Sequence, residues 1–253
     1  MDLRDDTRCR NCHTPLQGSV CHRCGQRVID KRWTTSLLLR QFFSQLTNIE
    51  KGFLYTTKKL FTRPGKLVHD YWNGVTIPYY NPFRYMIIWT TINLLFAFWL
   101  GIDEMIQANM GPTSVEEGLG ADELLAANQQ FNNWMNILVL LVIPIKSAAS
   151  YLLFRRKKKN YAEHLIMNSF IFGQGAFMSF VTQFVFYLFP TLFAGYFLFY
   201  FLLGVGYDSY VFRQTFKQPL WLIVLKAVLI GVIGLAALFL LIFLFSSLIL
   251  WLT

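Results

Sequence analysis

The chain has 253 residues, 55% of them hydrophobic, 17% aromatic and only 15% charged, with a formal charge of +9. That usage excludes an ordinary soluble domain and an intrinsically disordered chain, and it predicts an integral membrane protein. The positive charge is unevenly placed, so its position along the chain carries topological information.

The first 28 residues form a separate unit. Cys9 and Cys12 make one C-x2-C pair, Cys21 and Cys24 make a second, and eight residues separate them. Each such turn brings two thiolates onto one tetrahedral ion, and an all-thiolate site favours zinc, so a four-cysteine zinc ribbon is predicted. With some twenty residues and no room for a hydrophobic core, the metal acts as the core and is structural, leaving no open position for catalysis. An iron knuckle, a redox pair and a disulfide framework are the competitors. Disulfides rank last, because no secretory signal precedes the segment and the charge map puts it on the reducing side of the membrane. His13 and His22 flank ligand cysteines and read as solvated turn residues. Arg4, Arg8, Arg10, Arg23 and Arg27 surround the ribbon without an aromatic platform, which favours anionic lipid headgroups over nucleic acid as their partner.

Residues 29–82 predict interfacial amphipathic helices. Trp33, Leu37, Leu38, Phe42, Leu46 and Ile49 recur at helical spacing. Phe53, Leu54, Leu60 and Phe61 suggest a second short helix; Pro64 opens a third and Asn73-Gly74 closes it. On this reading the helices lie in the inner headgroup layer with Trp72, Tyr79 and Tyr80 at the interface.

Residues 83–253 hold five apolar runs long enough to cross about 30 Å of hydrocarbon, at about 83–101, 134–154, 165–189, 191–212 and 220–251. Asn81-Pro82 caps the first. The loop 102–133 carries Asp103, Glu104, Glu116, Glu117, Asp122 and Glu123 and no Lys or Arg, so it is predicted outside. Arg155, Arg156, Lys157, Lys158 and Lys159 place the next loop in the cytoplasm, and Arg213 and Lys217 mark another inner loop. A tight outer turn at Pro190 joins spans three and four. The alternation puts the N-terminus inside and the C-terminus outside. The last run is predicted to be one tilted helix, although Gly231 and Gly234 leave a re-entrant hairpin open.

A resemblance rests on the first ninety residues: the C-x2-C and C-x2-C-G-Q ribbon with Gly25 and Gln26, then NIEKGFLYTTKKLFTRPGK with Gly52, Thr56 or Thr57, Arg63, Pro64 and Gly65, then Asn81, Pro82 and Phe83. Tyr161, Glu163, His164 and Leu165 give a weaker echo. This pattern resembles an uncharacterised bacterial membrane family, domain-of-unknown-function family 3667. Val75-Thr76 follows Gly74 where that family often has a basic pair. The resemblance implies a multi-pass protein of the bacterial inner membrane and supplies no reaction.

Within the spans, polar residues mark the places to look for function. Asn93, Lys146 and Gln174 fall at similar depths, about 12 to 16 Å from the inner boundary, and predict one polar layer. Lys146 follows Pro144 and sits too deep to snorkel comfortably. Lys226 and Asp208 are expected to pair nearer the inner surface. His164, Asn168, Gly175, Ser179 and Thr182 share about 60° of one helical face, an interhelical contact by default.

The predicted fold is therefore an all-α integral membrane protein, a five-span helical bundle with a small zinc ribbon and interfacial amphipathic helices. The favoured function is a zinc-ribbon binding, scaffold or lipid-sensing module whose ribbon docks a cytoplasmic protein. The alternatives are a small transporter or lipid-handling protein centred on Asn93, Lys146 and Gln174, and a membrane enzyme using His164 and Glu163. No nucleophile elbow, phosphate loop or dinucleotide fingerprint supports an enzyme.

Overall fold

The computed structural model describes residues 8–26, 34–35, 52–102, 140–189 and 195–252, with backbone alone at 197 and 245–252. The predicted helix over 33–49 (apart from 34–35), the acidic loop beyond Ile102, the first residues of the second span and the Pro190 turn lie outside these residues. Among the described residues the regular structure is helical, and the head at 8–26 adds one isolated antiparallel bridge, Arg8 to Pro15.

Among the described residues seven α-helices run in chain order: α1 Phe53–Thr62, α2 Pro64–Trp72, α3 Pro82–Trp99, α4 Leu140–Leu153, α5 Tyr161–Leu188, α6 Tyr196–Phe216 and α7 Leu220–Leu252. Two are long and apolar enough to cross a membrane, α5 and the Leu220–Leu244 part of α7. The last run is one continuous helix of 33 residues. At about 1.5 Å per residue it extends about 50 Å, beyond the thickness of the hydrocarbon layer. Its outward side is apolar, with Trp221 70%, Phe239 67% and Phe243 66% exposed in the isolated chain. A surface of that kind suits lipid rather than water.

Local chemistry sets the helix ends. Asn81 accepts from the backbone N–H of Phe83 and Arg84, and Pro82 opens α3. α5 starts at Tyr161, four residues before the predicted span, because Asn160 and Glu163 form a capping box with Asn160 N–H donating to Glu163 Oε2 at 2.7 Å. At the end of α2, Gly74 N–H reaches Tyr71 O at 3.0 Å and Val75 N–H reaches Asp70 O at 2.9 Å, a Schellman motif with Gly74 at φ 85°.

The collar of α1 and α2 is packed into the bundle. Leu60, Leu67 and Val68 are 0% exposed, and Trp72, Tyr79 and Tyr80, expected at the interface, are buried among protein side chains. Hydrogen bonds to defined protein atoms explain this. Trp72 Nε1 donates to Glu163 O at 2.8 Å, Tyr79 Oη donates to Asp70 Oδ2 at 2.7 Å, and Tyr80 N–H donates to Thr56 Oγ1 at 2.8 Å. Thr57 is a node between α1 and α3. Its hydroxyl donates to Phe53 O and accepts from Tyr85 Oη at 3.1 Å and Trp89 Nε1 at 3.3 Å. Tyr85 also meets the Gln174 carboxamide. With one hydroxyl proton already committed to Thr57, Tyr85 is best matched by the amide nitrogen of Gln174.

Across the other side of the collar, α6 supplies the partners. Tyr207 Oη donates to Leu60 O at 3.1 Å and Tyr210 Oη to Phe61 O at 2.9 Å, satisfying carbonyls at the end of α1. His69 Nε2–H donates to Thr215 O at 3.0 Å, which fixes the tautomer, and burial holds its pKa below the ordinary value.

Two glycines let helices approach closely. A Cβ on Gly65 would lie 2.5 Å from Gln214 Cβ and 2.6 Å from Gln214 C, and a Cβ on Gly173 would lie 2.7 Å from Tyr85 Cδ1 and 2.9 Å from Met86 Cα. Gly65→Ala is expected to destabilise the detergent-solubilised protein by about 1–3 kcal/mol, read as a lower thermal midpoint. Gly206→Ala, where an added Cβ meets nothing within 4 Å, should leave the midpoint unchanged or raised.

Candidate functional site

The head is built from two superimposable knuckles. In the first, Cys9 N–H donates to Thr14 O and Cys9 O accepts from His13 N–H; in the second, Cys21 N–H donates to Gln26 O and Cys21 O accepts from Gly25 N–H, all at 2.8 Å. His13 and Gly25 occupy equivalent left-handed positions, φ 58° and 73°. His13 is therefore the turn residue of the first knuckle and points to solvent, as does His22. The pseudo-twofold repeat brings the four sulfurs together. Cys9 to Cys24 and Cys12 to Cys21 are each 3.5 Å apart, and all four lie within 4.8 Å of one another. A tetrahedral ion with bonds of about 2.3 Å needs sulfurs about 3.8 Å apart, so the donor set fits a metal ion. Hydrogen bonds to the Thr14 side chain and backbone bring the Cys12 thiol down to about 6, while desolvation pushes Cys24 up to about 11. A bound cation would supply the field that deprotonates the reluctant thiol.

The head is not a free appendage. Gln26 is 3% exposed and its carboxamide reads the backbone of the turn after α2. Nε2 donates to Gly74 O at 2.8 Å, and Oε1 accepts from Thr76 N–H and Ile77 N–H, both at 3.1 Å. Arg10 Nη1 adds a bond to Asn73 O at 3.2 Å. No role for Gln26 follows from the sequence, where the cysteines draw attention away from it.

The residues expected inside the membrane divide into three places. Asn93 and Lys146 face one cavity of about 370 Å³, bounded by α3, α4, α5 and α6. Asp208 lies at its edge and bonds Lys146 Nζ at 3.1 Å. This corrects the expected Lys226 pairing: Lys226 instead donates to Gln218 Oε1 at 2.9 Å and sits over the Phe154 ring. The third member of the predicted layer, Gln174, turns toward Tyr85 and does not line the cavity. Helical rotation separates residues that depth alone puts together.

His164 and Asn168 converge on Ser150 of α4. Ser150 Oγ is 2.9 Å from His164 Nδ1, and Asn168 Nδ2 donates to the same hydroxyl at 2.9 Å. The imidazole is 0% exposed and stacked on Phe154 and Phe216. The Glu163 carboxylate caps the start of α5 and bonds Lys159. The rest of the stripe on α5 also meets neighbours: Gly175 and Ser179 line the cavity, and Thr182 bonds Tyr200 of α6.

The cavity is lined by two kinds of surface. Leu94, Phe172 and Leu203 are apolar walls, while Asn93 Oδ1 and Thr90 Oγ1 are buried with no hydrogen-bond partner among the described residues. Gly175 and Gly204 line it as well, and a Cβ on either meets nothing within 4 Å. Space and unpaired polar atoms at one place are the marks of a binding pocket. Thr90 of α3 meets Tyr200 and Asp208 of α6 at one site only through packing between helices, which the sequence alone does not specify.

A family model described as a protein of unknown function (DUF3667) matches residues 50–94, the collar and α3. The match includes Gly52, Thr56, Thr57, Pro64, Gly65, Asn81 and Pro82 and does not include the cysteines. No curated protein and no solved structure matches the chain.

Replacing Gln26 with Ala is expected to expose the Thr76 and Ile77 amides, accelerating their hydrogen exchange by about tenfold or more. Gln26→Glu, which keeps both acceptor contacts and loses the donor to Gly74, should fall between the two. Unchanged exchange in both variants would show that the head is not held by this residue.

Proposed function

We propose that the chain is a multi-pass protein of a bacterial inner membrane that works by binding a small molecule or lipid, with the pocket beside Lys146 and Asp208 as its site. Five helices, α3 to α7, cross the bilayer on this reading, with the head in the cytoplasm and the C-terminus outside. The single observation that carries it is the cavity of about 370 Å³, because an ion pair and two unpartnered polar atoms meet there. The head holds zinc as a structural brace. Its contacts through Gln26 and Arg10 support a role in shaping the cytoplasmic cap. Exposed Arg155, Arg156, Lys157, Lys158, Arg213 and Lys217 suit anionic headgroups at the same face.

Docking of a cytoplasmic protein by the head is the second reading. Its support is the outer edge of the head, where Val20 is 46% exposed beside exposed His22 and Arg23. Catalysis by His164 with Glu163 has no comparable support, since the carboxylate serves as a helix cap.

Purified protein is expected to carry one zinc ion per chain by elemental analysis, and replacing all four cysteines with serine should remove it. Native mass spectrometry of protein taken from a total lipid extract should report a retained small molecule or lipid. Gly175→Leu, which fills the cavity from open space, should reduce that adduct by about tenfold or more. Equal retention by both proteins would sink the cavity reading and leave the docking reading in place.

A further inference from the structure

The charge balance of the cavity restricts what it can take. Lys146 and Asp208 bring one positive and one negative group, paired at 3.1 Å, with side chains 22% and 5% exposed. In a low-dielectric bundle a ligand of either net charge would leave that charge without a counter-ion inside the membrane. A wholly neutral ligand would leave the two ions engaged only with each other. A ligand carrying both charges can divide the pair, each end gaining a charge-assisted hydrogen bond.

The remaining polar atoms have a matching polarity. Lys146 uses one of its three N–H donors on Asp208, leaving two directions for an anionic oxygen. On α3, Asn93 Oδ1 and Thr90 Oγ1 stand three residues apart on one helix face as buried acceptors without a partner. An ammonium group has three donors, and Asp208, Asn93 and Thr90 all present acceptors to this cavity. The walls provided by Leu94, Phe172 and Leu203 accept apolar chain. Gly234 of α7 lies against the Lys146 stem, where an added Cβ would be 3.1 Å from Cγ, so the lysine is packed from behind and aimed at its partner.

Resting on the cavity reading above, we infer that the site takes a zwitterion: a primary ammonium toward Asp208, Asn93 and Thr90, and a phosphate or carboxylate toward Lys146. An aminophospholipid headgroup and a free zwitterionic solute share this chemistry.

The test is native mass spectrometry of the full-length protein in detergent, titrated separately with phosphatidylethanolamine, phosphatidylglycerol, diacylglycerol and soluble glycerophosphoethanolamine. The inference expects phosphatidylethanolamine to be retained about tenfold more strongly than phosphatidylglycerol or diacylglycerol. Comparable retention of glycerophosphoethanolamine also supports it and identifies a soluble source, whereas weak retention identifies a lipid. The paired variant Lys146→Met with Asp208→Leu removes both charges without leaving one buried alone, and it should abolish the preference while still binding diacylglycerol. Circular dichroism and size exclusion establish that it folds. Asp208→Asn, which preserves shape, is the second variant and should lower phosphatidylethanolamine retention alone.

Preference for phosphatidylglycerol or diacylglycerol, blocked by Gly175→Leu, would overturn the zwitterion assignment while the cavity reading stands. Retention of every ligand unchanged by Gly175→Leu would overturn both.

Discussion

A polar group inside an apolar bundle has no water to fall back on, so it must find its partner within the protein. That constraint organises this molecule. The collar helices and the turn after them carry Thr56, Thr57, Trp72 and Tyr79 into the interior, and each has a hydrogen bond to a defined atom. Thr57 joins α1 to α3 through one hydroxyl, and α6 tyrosines take up the carbonyls at the end of α1. Because these bonds are directional, they set the rotation and depth of α3, α5 and α6 relative to the collar, which hydrophobic contact alone would leave loosely specified.

The same requirement accounts for the head. A unit of this size cannot bury enough surface to fold by itself, so its two knuckles share a thiolate cluster in place of a core. Its attachment is made by one amide that satisfies a carbonyl and two N–H groups of the turn at 74–77. Gly74 makes that turn possible by taking a left-handed conformation, and the Schellman bonds of α2 present its backbone to Gln26. The cysteine cluster, the turn and the collar therefore form one mechanical series, and a change at the cysteines has a physical route to α3.

The cavity departs from that rule in a particular way. Asn93 Oδ1 and Thr90 Oγ1 are unpartnered beside open space, whereas other unpartnered atoms such as Ser209 Oγ and Thr215 Oγ1 do not line it. Gly175 and Gly204 keep the space beside them open, although larger residues would meet no obstacle there. Unpartnered acceptors, open space and an ion pair at one place are what distinguish a site from packing.

Much of this was legible in the residues alone. The C-x2-C spacing predicts the thiolate cluster, Asn81-Pro82 the start of α3, Asn73-Gly74 the end of α2, and the unbroken apolar run the single long α7, because each depends on neighbours a few residues apart. The residues that carry the family resemblance at Gly52, Thr57, Pro64 and Gly65 could be quoted without reasons. Their reasons are tertiary: Gly52 turns at φ 128° against Pro78 O, Gly65 abuts Gln214 and Thr57 receives Tyr85 and Trp89. Depth along a helix put Asn93, Lys146 and Gln174 in one layer, but rotation about the helix axis decided which of them meet. That angle is set by packing against other helices, as is the choice of Lys146 over Lys226 for Asp208. Sequence determined the elements, their ends and the metal-binding chemistry, since these are short-range properties. Only the tertiary structure decided where the head attaches and which polar groups share a cavity, since both depend on side chains brought together from distant parts of the chain.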